Sequence, residues 1–529
     1  MGAIFDYFIL TIFLLCTGML ALYGIHLYML LYLFLRRYVG KRAQQRGVVE
    51  EYLQTVPPEH WPGVTSQVPI YNEADVAARV IRAVAAMEYP RGRHSIQVLD
   101  DSTDETRFLV DRTVRRLREQ GVDVEVVRRE QRVGFKAGAL REGLTKCRHP
   151  LVAVFDSDFV PPVDFLKRAV PLLARDEKLA CLQGRWAHLN ADESWLTRAQ
   201  SVGIDAHFAV EQGARAWNGL MMNFNGTAGV WRKAAIEDPA VGGWSADTLT
   251  EDLDLSYRAQ LAGWKIDYCL DLACPAELPS SINALKAQQR RWATGSIQTA
   301  VKLLPRIWRA PIGLGHKLEA SLHLTHYSVS LWMLVLALLA RPMLVMVDPA
   351  PHAACFLTGW LMVLFSSIAP PIVYGYARYS LGGGWSGFRT VPIMMVLGTG
   401  LSVNNGIAAL CGLFQRGGEF VRTPKSGSTR NSRMTSRYKA ARYRYMWFVE
   451  MLLGAYCLAN WAIYMTVDRV AFSIFLGIYA AGYLTVGWIS RPEASGPRRR
   501  LVLVEDQPVV PDTPLAPASS AVPLGGEVM

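Results

Sequence analysis

The apolar positions of this chain are gathered into blocks rather than spread evenly. Residues 5–35 are almost free of charge, and after residue 318 apolar runs recur at about 321–346, 353–376, 391–414, 447–466 and 470–489. A helix needs roughly 20 apolar residues to cross about 30 Å of hydrocarbon, and the blocks reach that length. Residues 45–317 are patterned differently. Amphipathic segments at 74–87, 104–119 and 164–175 predict helices there. The runs SIQVLDDSTDET (95–106) and LVAVFDSDFVPP (151–162) predict buried parallel strands, each delivering Asp residues at its carboxyl end, where ligands bind in open α/β sheets. Strand–helix–strand order predicts a doubly wound sheet. The pattern thus describes an integral membrane protein carrying an α/β domain.

Charge sets the expected orientation. The net charge of +11 would suit nucleic acid, but the basic residues cluster beside apolar blocks, at Arg36, Arg37, Lys41, Arg42 and Arg46 and again across 416–444. That placement suits an anionic lipid surface, and no nucleic-acid partner is expected. The first block is about twice as long as a signal-peptide core and is followed by its basic cluster, so it reads as a span with its N-terminus outside. If every later block crossed the bilayer, the segment 415–445 would lie outside, yet it holds nine Lys/Arg against one Glu. Block 391–414 is the one to demote, because Gly398, Gly400, Ser402, Asn404, Asn405 and Gly406 interrupt it and paired Asn is costly against lipid. About five spans remain. The eight Cys show no metal spacing or disulfide framework.

Candidate chemistry begins with Asp156-Ser157-Asp158. Residues two apart on a strand point the same way, so two carboxylates can share one divalent ion, and oxygen ligands favour Mg²⁺ or Mn²⁺. Taken alone, such a pair reads more often as solvated loop carboxylates. In TED, Thr250 is a candidate helix N-cap, and Glu251 and Asp252 complement the helix dipole. The run AQQRRWATGS (287–296), at the junction with the oily half, is either an interfacial anchor or a sugar-stacking ledge.

The ordered motifs VPIYNE (68–73), DDST (100–103), KAGAL (136–140), DSD (156–158), TED (250–252) and QQRRW (288–292) resemble those of family 2 glycosyltransferases of the GT-A fold. Within that family the phrases QVLDDSTD, HFAVEQ and FNGTAGVWR are similar to those of the cellulose-synthase-like A and C groups, which make mannan or glucan backbones. The resemblance runs from about 65 to 305. It implies an α/β GT-A cytosolic domain that transfers hexose from UDP-glucose or GDP-mannose to a growing β-linked polysaccharide, with inversion. It places Tyr71, Glu73 and Asp101 at the base and ribose, with Asp100 and Lys136 also in the nucleotide-sugar site. Asp156 and Asp158 would bind nucleotide and metal. Asp252 would be the general base, with Glu251, Asp158 and Trp292 in the catalytic set. Gln288 and Arg291 would meet the donor, and Asn225, Gly226, Thr227 and Trp292 the acceptor. EFVRTPKSG (419–427) resembles a cytosolic gating loop through Phe420, Thr423 and Lys425, with Arg422 where the pattern has Val.

The expected organisation is a first span and basic flank (1–45), the transferase domain (46–282), interfacial helices (283–317), a membrane hairpin (318–378), a re-entrant segment with the basic loop (379–446), a second hairpin (447–490) and a cytosolic tail (491–529). An inner (plasma) membrane location with the C-terminus inside and a periplasmic or cell-envelope export partner complete the expectation. Two other functions stay open: transfer of a single sugar to a membrane lipid, and a non-catalytic membrane scaffold.

Overall fold

Strands β1 (Val64–Ile70), β2 (His94–Asp100), β3 (Val124–Val127), β4 (Leu151–Val154), β5 (Leu179–His188), β6 (Gly229–Arg232) and β7 (Lys265–Ala276) form one sheet in the order β3-β2-β1-β4-β6-β5-β7. The computed structural model describes residues 2–418, 445–467 and 470–492. Only β6 runs antiparallel to its neighbours. The sheet is therefore mixed and GT-A-like, doubly wound through β4 and closed by strands that lack a single apolar run. Register brings Ile70 beside Asp100 and Gln67 beside Val154, so β1, β2 and β4 finish at one edge.

Both faces of the sheet are covered, so β1 and β2 are buried along almost their whole length, polar positions included. Helix α1 (Gly2–Thr55) enters from the membrane side, and Arg42 and Arg46 clasp Asp271 of β7 at 2.7 Å each. Helices α2 (Ala74–Ala85), α3 (Thr106–Glu119), α4 (Phe135–Lys146) and α5 (Phe165–Arg175) are the crossovers. In α2 the buried set Val76, Ala77, Val80, Ile81 and Val84 repeats at helical spacing and packs on one face. Buried polar residues in the strands pair with one another, although Gln67 Oε1 has no hydrogen-bond partner among the described residues. Gln67, Gln97 and Glu125 lie in register on β1, β2 and β3 and hydrogen-bond in sequence at 3.0 and 2.9 Å.

Further helices are α6 (Trp195–Asp205), α7 (Gln212–Trp217), α8 (Lys233–Glu237), α9 (Glu251–Leu261) and α10 (Ile282–Arg309), the last opened by Ser281, whose Oγ accepts the Ala284 N–H. The apolar half comprises α11 (Leu314–Thr325), α12 (Ser328–Leu338), α13 (Ala340–Met346), α14 (Ala353–Arg378), α15 (Val391–Gly400), α16 (Ser402–Phe414), α17 (Met446–Thr466) and α18 (Val470–Ile489). Among the described residues, four helical stretches are long and apolar enough to cross a membrane: Phe5–Thr55, Ser328–Met346, Ala350–Gly383 and Met446–Thr466. A fifth arises if Gly387–Gly400 and Ser402–Phe414, bent by 47°, count as one broken span. Ser473–Ile489 is apolar but shorter. Gly454 lies against Leu484, and Gly487 against Trp447 and Met451, so α17 and α18 pair antiparallel.

The polar residues that interrupt 391–414 are not left to lipid. Asn404 and Asn405 are buried, and Asn404 donates to the Lys286 carbonyl of α10 at 3.0 Å. Lys286 itself pairs with Glu450 of α17 at 2.5 Å, both buried. Helix α10 is thereby bound to the membrane helices on one side and to the sheet domain on the other.

Candidate active site

Because β1, β2, β4, β5 and β7 point one way, their carboxyl ends face a common edge, together with the turn that starts β6. A cleft of about 1260 Å³, counting space open to solvent, lies there and is floored by α10. Its lining includes Tyr71, Glu73, Asp101, Lys136, Asp156, Asp158, Asn225, Glu251, Asp252, Gln288, Arg291 and Trp292. These residues are far apart in sequence, and the fold brings them into one space.

One end of the cleft is built from β1 and β2. Tyr71 follows β1, and the Arg132 guanidinium covers its ring 3.4 Å from the centroid. Glu73 starts α2. The turn between them is held by Asn72, whose Oδ1 accepts the Thr103 N–H at 2.8 Å. Asp101 is gripped by Arg129 in a two-point pair of 3.0 and 2.5 Å. Asp100 does not reach the cleft. Successive strand residues face opposite ways, and its carboxylate is taken by the Ser102 N–H at 3.0 Å and Arg128 at 2.9 Å.

The other end is a knot of charge. Lys136, in the first turn of α4, meets Asp156 Oδ1 at 2.5 Å, donates to the Gly226 carbonyl at 2.8 Å and lies 3.9 Å from Glu251. Burial disfavours its ammonium, but the carboxylates of Asp156, Glu251 and Asp252 outweigh that and lift its pKa. Asp252 sits in the first turn of α9, where Oδ1 accepts the Leu253 N–H at 2.8 Å. Burial and the adjacent Glu251 carboxylate push Asp252 up to about 7. A carboxylate poised there can accept a proton near neutral pH. Gly226 is needed at its position: its φ is 78°, and a Cβ there would stand 2.8 Å from Asp252 Oδ2.

Thr227 acts from behind the cleft. It is fully buried, and its Oγ1 accepts the Asp156 N–H at 2.9 Å. Replacing it by Val strands that donor, at a cost of about 1–3 kcal/mol. Thr227→Val is expected to lower the thermal midpoint and to weaken donor binding in a titration, whereas an unchanged midpoint would exclude this support. Asn225 is held from the segment 206–212: Gln212 donates to its Oδ1 at 2.5 Å, and His207 lies 3.2 Å from its Nδ2.

Helix α10 supplies the floor. Gln288 is buried, and its Oε1 has no hydrogen-bond partner among the described residues. Trp292 lies 6.1 Å from Trp186 of β5, which stacks on Phe208 at 5.0 Å. The two indole planes are tilted by 54°, so each ring face, rather than the pair, is a flat apolar surface on which a pyranose could stack. Phe420, Thr423 and Lys425 lie outside the described residues.

Sequence reasoning missed Arg129 and Arg132, the clasp on Asp101 and the cover on Tyr71. Both lie in RREQRVGFKAG, just before Lys136, so the basic spacing ahead of KAGAL was an available signal. It also missed Trp186, and it gave no role to His207 and Gln212, the two ends of HFAVEQ, which stand behind Asn225. The last two lie in or next to the π-helical turn Ala206–Glu211, which has no simple periodic signature.

A mixed GT-A-like sheet with an acidic edge, a lysine among three carboxylates and a floor helix packed against apolar helices long enough to cross a membrane defines a glycosyltransferase with candidate membrane spans. Residues 62–295 match the model of the "Glycosyltransferase like family 2" domain. Glucomannan 4-beta-mannosyltransferase 7 of Arabidopsis thaliana is 33% identical over 446 residues, 81% of this chain and 76% of the relative. Glucomannan 4-beta-mannosyltransferase 1 of Oryza sativa subsp. japonica is 31% identical over 450 residues, 81% and 82% of the two chains. A solved structure of the mannosyltransferase PcManGT from Pyrobaculum calidifontis, in complex with GDP-Man and Mn2+, is 20% identical with a TM-score of 0.44, covering 68% of this chain and 98% of that one. The protein belongs to glycosyltransferase family 2, in the cellulose-synthase-like group that includes the glucomannan mannosyltransferases.

Proposed function

We propose that this protein is a processive, inverting β-glycosyltransferase that polymerises hexose from a nucleotide sugar into a mannan- or glucan-type chain and exports it across its own membrane. The observation that carries the reading is the convergence of Asp252, Asp156, Asp158, Lys136 and Trp292 on one cleft above membrane helices. The curated relatives' names favour mannose, hence GDP-mannose, as the donor to examine first, with UDP-glucose as its alternative.

In this mechanism the acceptor's terminal sugar stacks on Trp292, and Asn225 and the Gly226 turn frame its hydroxyl. Asp252 takes the hydroxyl proton as the oxygen attacks the anomeric carbon, and the bond to the nucleoside diphosphate breaks on the opposite side, inverting the centre. Lys136 and Arg291 meet the charge that develops on the leaving diphosphate. Tyr71, Glu73 and Asp101 hold the nucleotide, while Asp100, through Arg128 and Ser102, shapes their turn. Burial, with Glu251 adding to it, raises the pKa of Asp252.

The donor set fits a divalent ion. Asp156 and Asp158 lie in the turn past β4 rather than on the strand as expected, both line the cleft and offer oxygen ligands, and no group of three acidic, His or Cys side chains that could hold a metal occurs among the described residues. A diphosphate would complete the shell, as suits Mg²⁺ or Mn²⁺. The ion would supply charge neutralisation of the leaving diphosphate.

The basic residues Arg36, Arg37, Lys41, Arg42 and Arg46 after the first span support a cytosolic catalytic domain with the N-terminus outside, five spans would put the C-terminus in the cytosol as well, and an inner (plasma) membrane is the proposed location. The divisions at 45, 282, 317, 378, 446 and 490 are kept as functional units.

Product size tests the proposal. Purified protein in lipid, given radiolabelled GDP-mannose with Mn²⁺, is expected to form water-insoluble material that β-mannanase digests. Chelation is expected to stop it, and Mn²⁺ or Mg²⁺ to restore it. A β-glucanase-sensitive product from UDP-glucose would change the donor, a chloroform-soluble monoglycosyl product would make the acceptor a lipid, and no transfer from any donor would leave a scaffold.

A further inference from the structure

Gln298 lies almost two turns beyond the QQRRW run on α10, is 4% exposed, and is hydrogen-bonded at both ends. Its Oε1 accepts the Leu249 N–H at 2.9 Å, and its Nε2 donates to the carbonyls of Gln415 and Gly417 at 3.1 and 2.7 Å. The Gly417 N–H closes the same joint by donating to the Asp247 carbonyl at 2.9 Å. Leu249 immediately precedes Thr250, the N-cap of α9, whose first turn carries Glu251 and Asp252. Residues 415–418 are the junction through which the chain leaves α16.

One amide therefore ties α10, the entry to α9 and the exit of α16 together. The floor beneath it is tight: a Cβ on Gly295 would stand 2.9 Å from the Thr250 nitrogen. Lys302, one turn on, meets both Asp247 at 3.2 Å and Asp254 at 2.9 Å. An amide suits the joint because it alone offers an acceptor and two donors, and leaving any of these buried groups unpaired is costly.

We propose that Gln298 is a positioning residue that couples the 415–418 junction to the first turn of α9, so that Asp252 is held in its working place only while the junction is docked. The coupling rests on the reading of Asp252 as the base, but the joint itself is independent of it.

The test uses the full chain in lipid nanodiscs with Gln298→Met, which removes every bond at similar length, and Gln298→Glu, which keeps an acceptor for Leu249 and loses both donors. In Gln298→Met the amides of 245–250 and 412–418 are expected to exchange about tenfold faster, with the rest of α10 and α16 unchanged. Turnover on GDP-mannose is expected to fall about tenfold or more, with KM for the donor within about twofold, since misplacing a catalytic group costs rate rather than binding. Gln298→Glu should free 412–418, keep Leu249 protected, and lose turnover as Met does. Faster exchange confined to one stretch in Gln298→Met, or a freed junction with full turnover in Gln298→Glu, overturns the coupling. If the wild-type protein transfers no sugar, the functional reading fails, while the paired exchange result still decides the joint.

Discussion

Asp252→Asn is expected to lower sugar transfer by about 10²–10⁴-fold, the usual contribution of a positioned base. Donor binding by titration should survive, because the side chain keeps its size and an oxygen for the Leu253 N–H. The pH profile separates this from a loss of folding. Asp252 is pushed up to about 7 by burial and by Glu251, with Lys136 opposing and Asp156 adding to the rise. A base works only when ionised, so kcat/KM of the wild-type protein should climb as pH rises through about 7 and flatten above it. Stability moves the other way. Folding favours the protonated carboxyl, so the carboxylate's cost is absent below about pH 4 and fully present above about 7. Asparagine never carries that cost, and the variant's thermal midpoint at pH 8 should not lie below that of the wild type. Full transfer by the variant, or an acid limb near pH 4, would remove Asp252 from the role of base.

Gly226→Ala is expected to be nearly as damaging, although it adds one methyl group. The residue has φ 78°, where a non-glycine side chain costs roughly 1–2 kcal/mol. The added Cβ would also stand 2.8 Å from Asp252 Oδ2 and 3.2 Å from Lys136 Nζ. Either the base or the lysine must move, and a displacement near 1 Å costs about 10²-fold in rate. Gly219→Ala is the control, since Gly219 has φ 70° but nothing within 4 Å of the added carbon. It should lose similar stability and keep full turnover. Equal activity in the two variants would show that the close approach to the base does not matter.

Much of this site was legible in the chain because its chemistry sits at strand and helix ends. Asp101, Asp156 and Asp158 close apolar runs, and Glu251 and Asp252 open a helix after Thr250. Their sheet-edge position follows from a parallel fold whatever packs around it. Asp100 shows the limit. DDST reads as two equivalent carboxylates, and only the pleat, with Arg128 waiting on the far side, separates the one in the cleft from the one behind it. The interrupted block 391–414 shows another. Asn404 argued against burial in lipid, and it is indeed paired, but its partner is the Lys286 carbonyl 118 residues away in sequence.

The order of motifs, the apolar blocks and the placement of basic residues were determined by local sequence, since each depends on periodicity, charge or chain length within a few turns. Which groups meet was decided only by tertiary structure. The acidity of Asp252, the lysine shared by three carboxylates, the glycine that fits against the base and the Gln298 joint all arise from residues brought together across long stretches of chain. Desolvation and close contact act through space, so no local pattern could encode them.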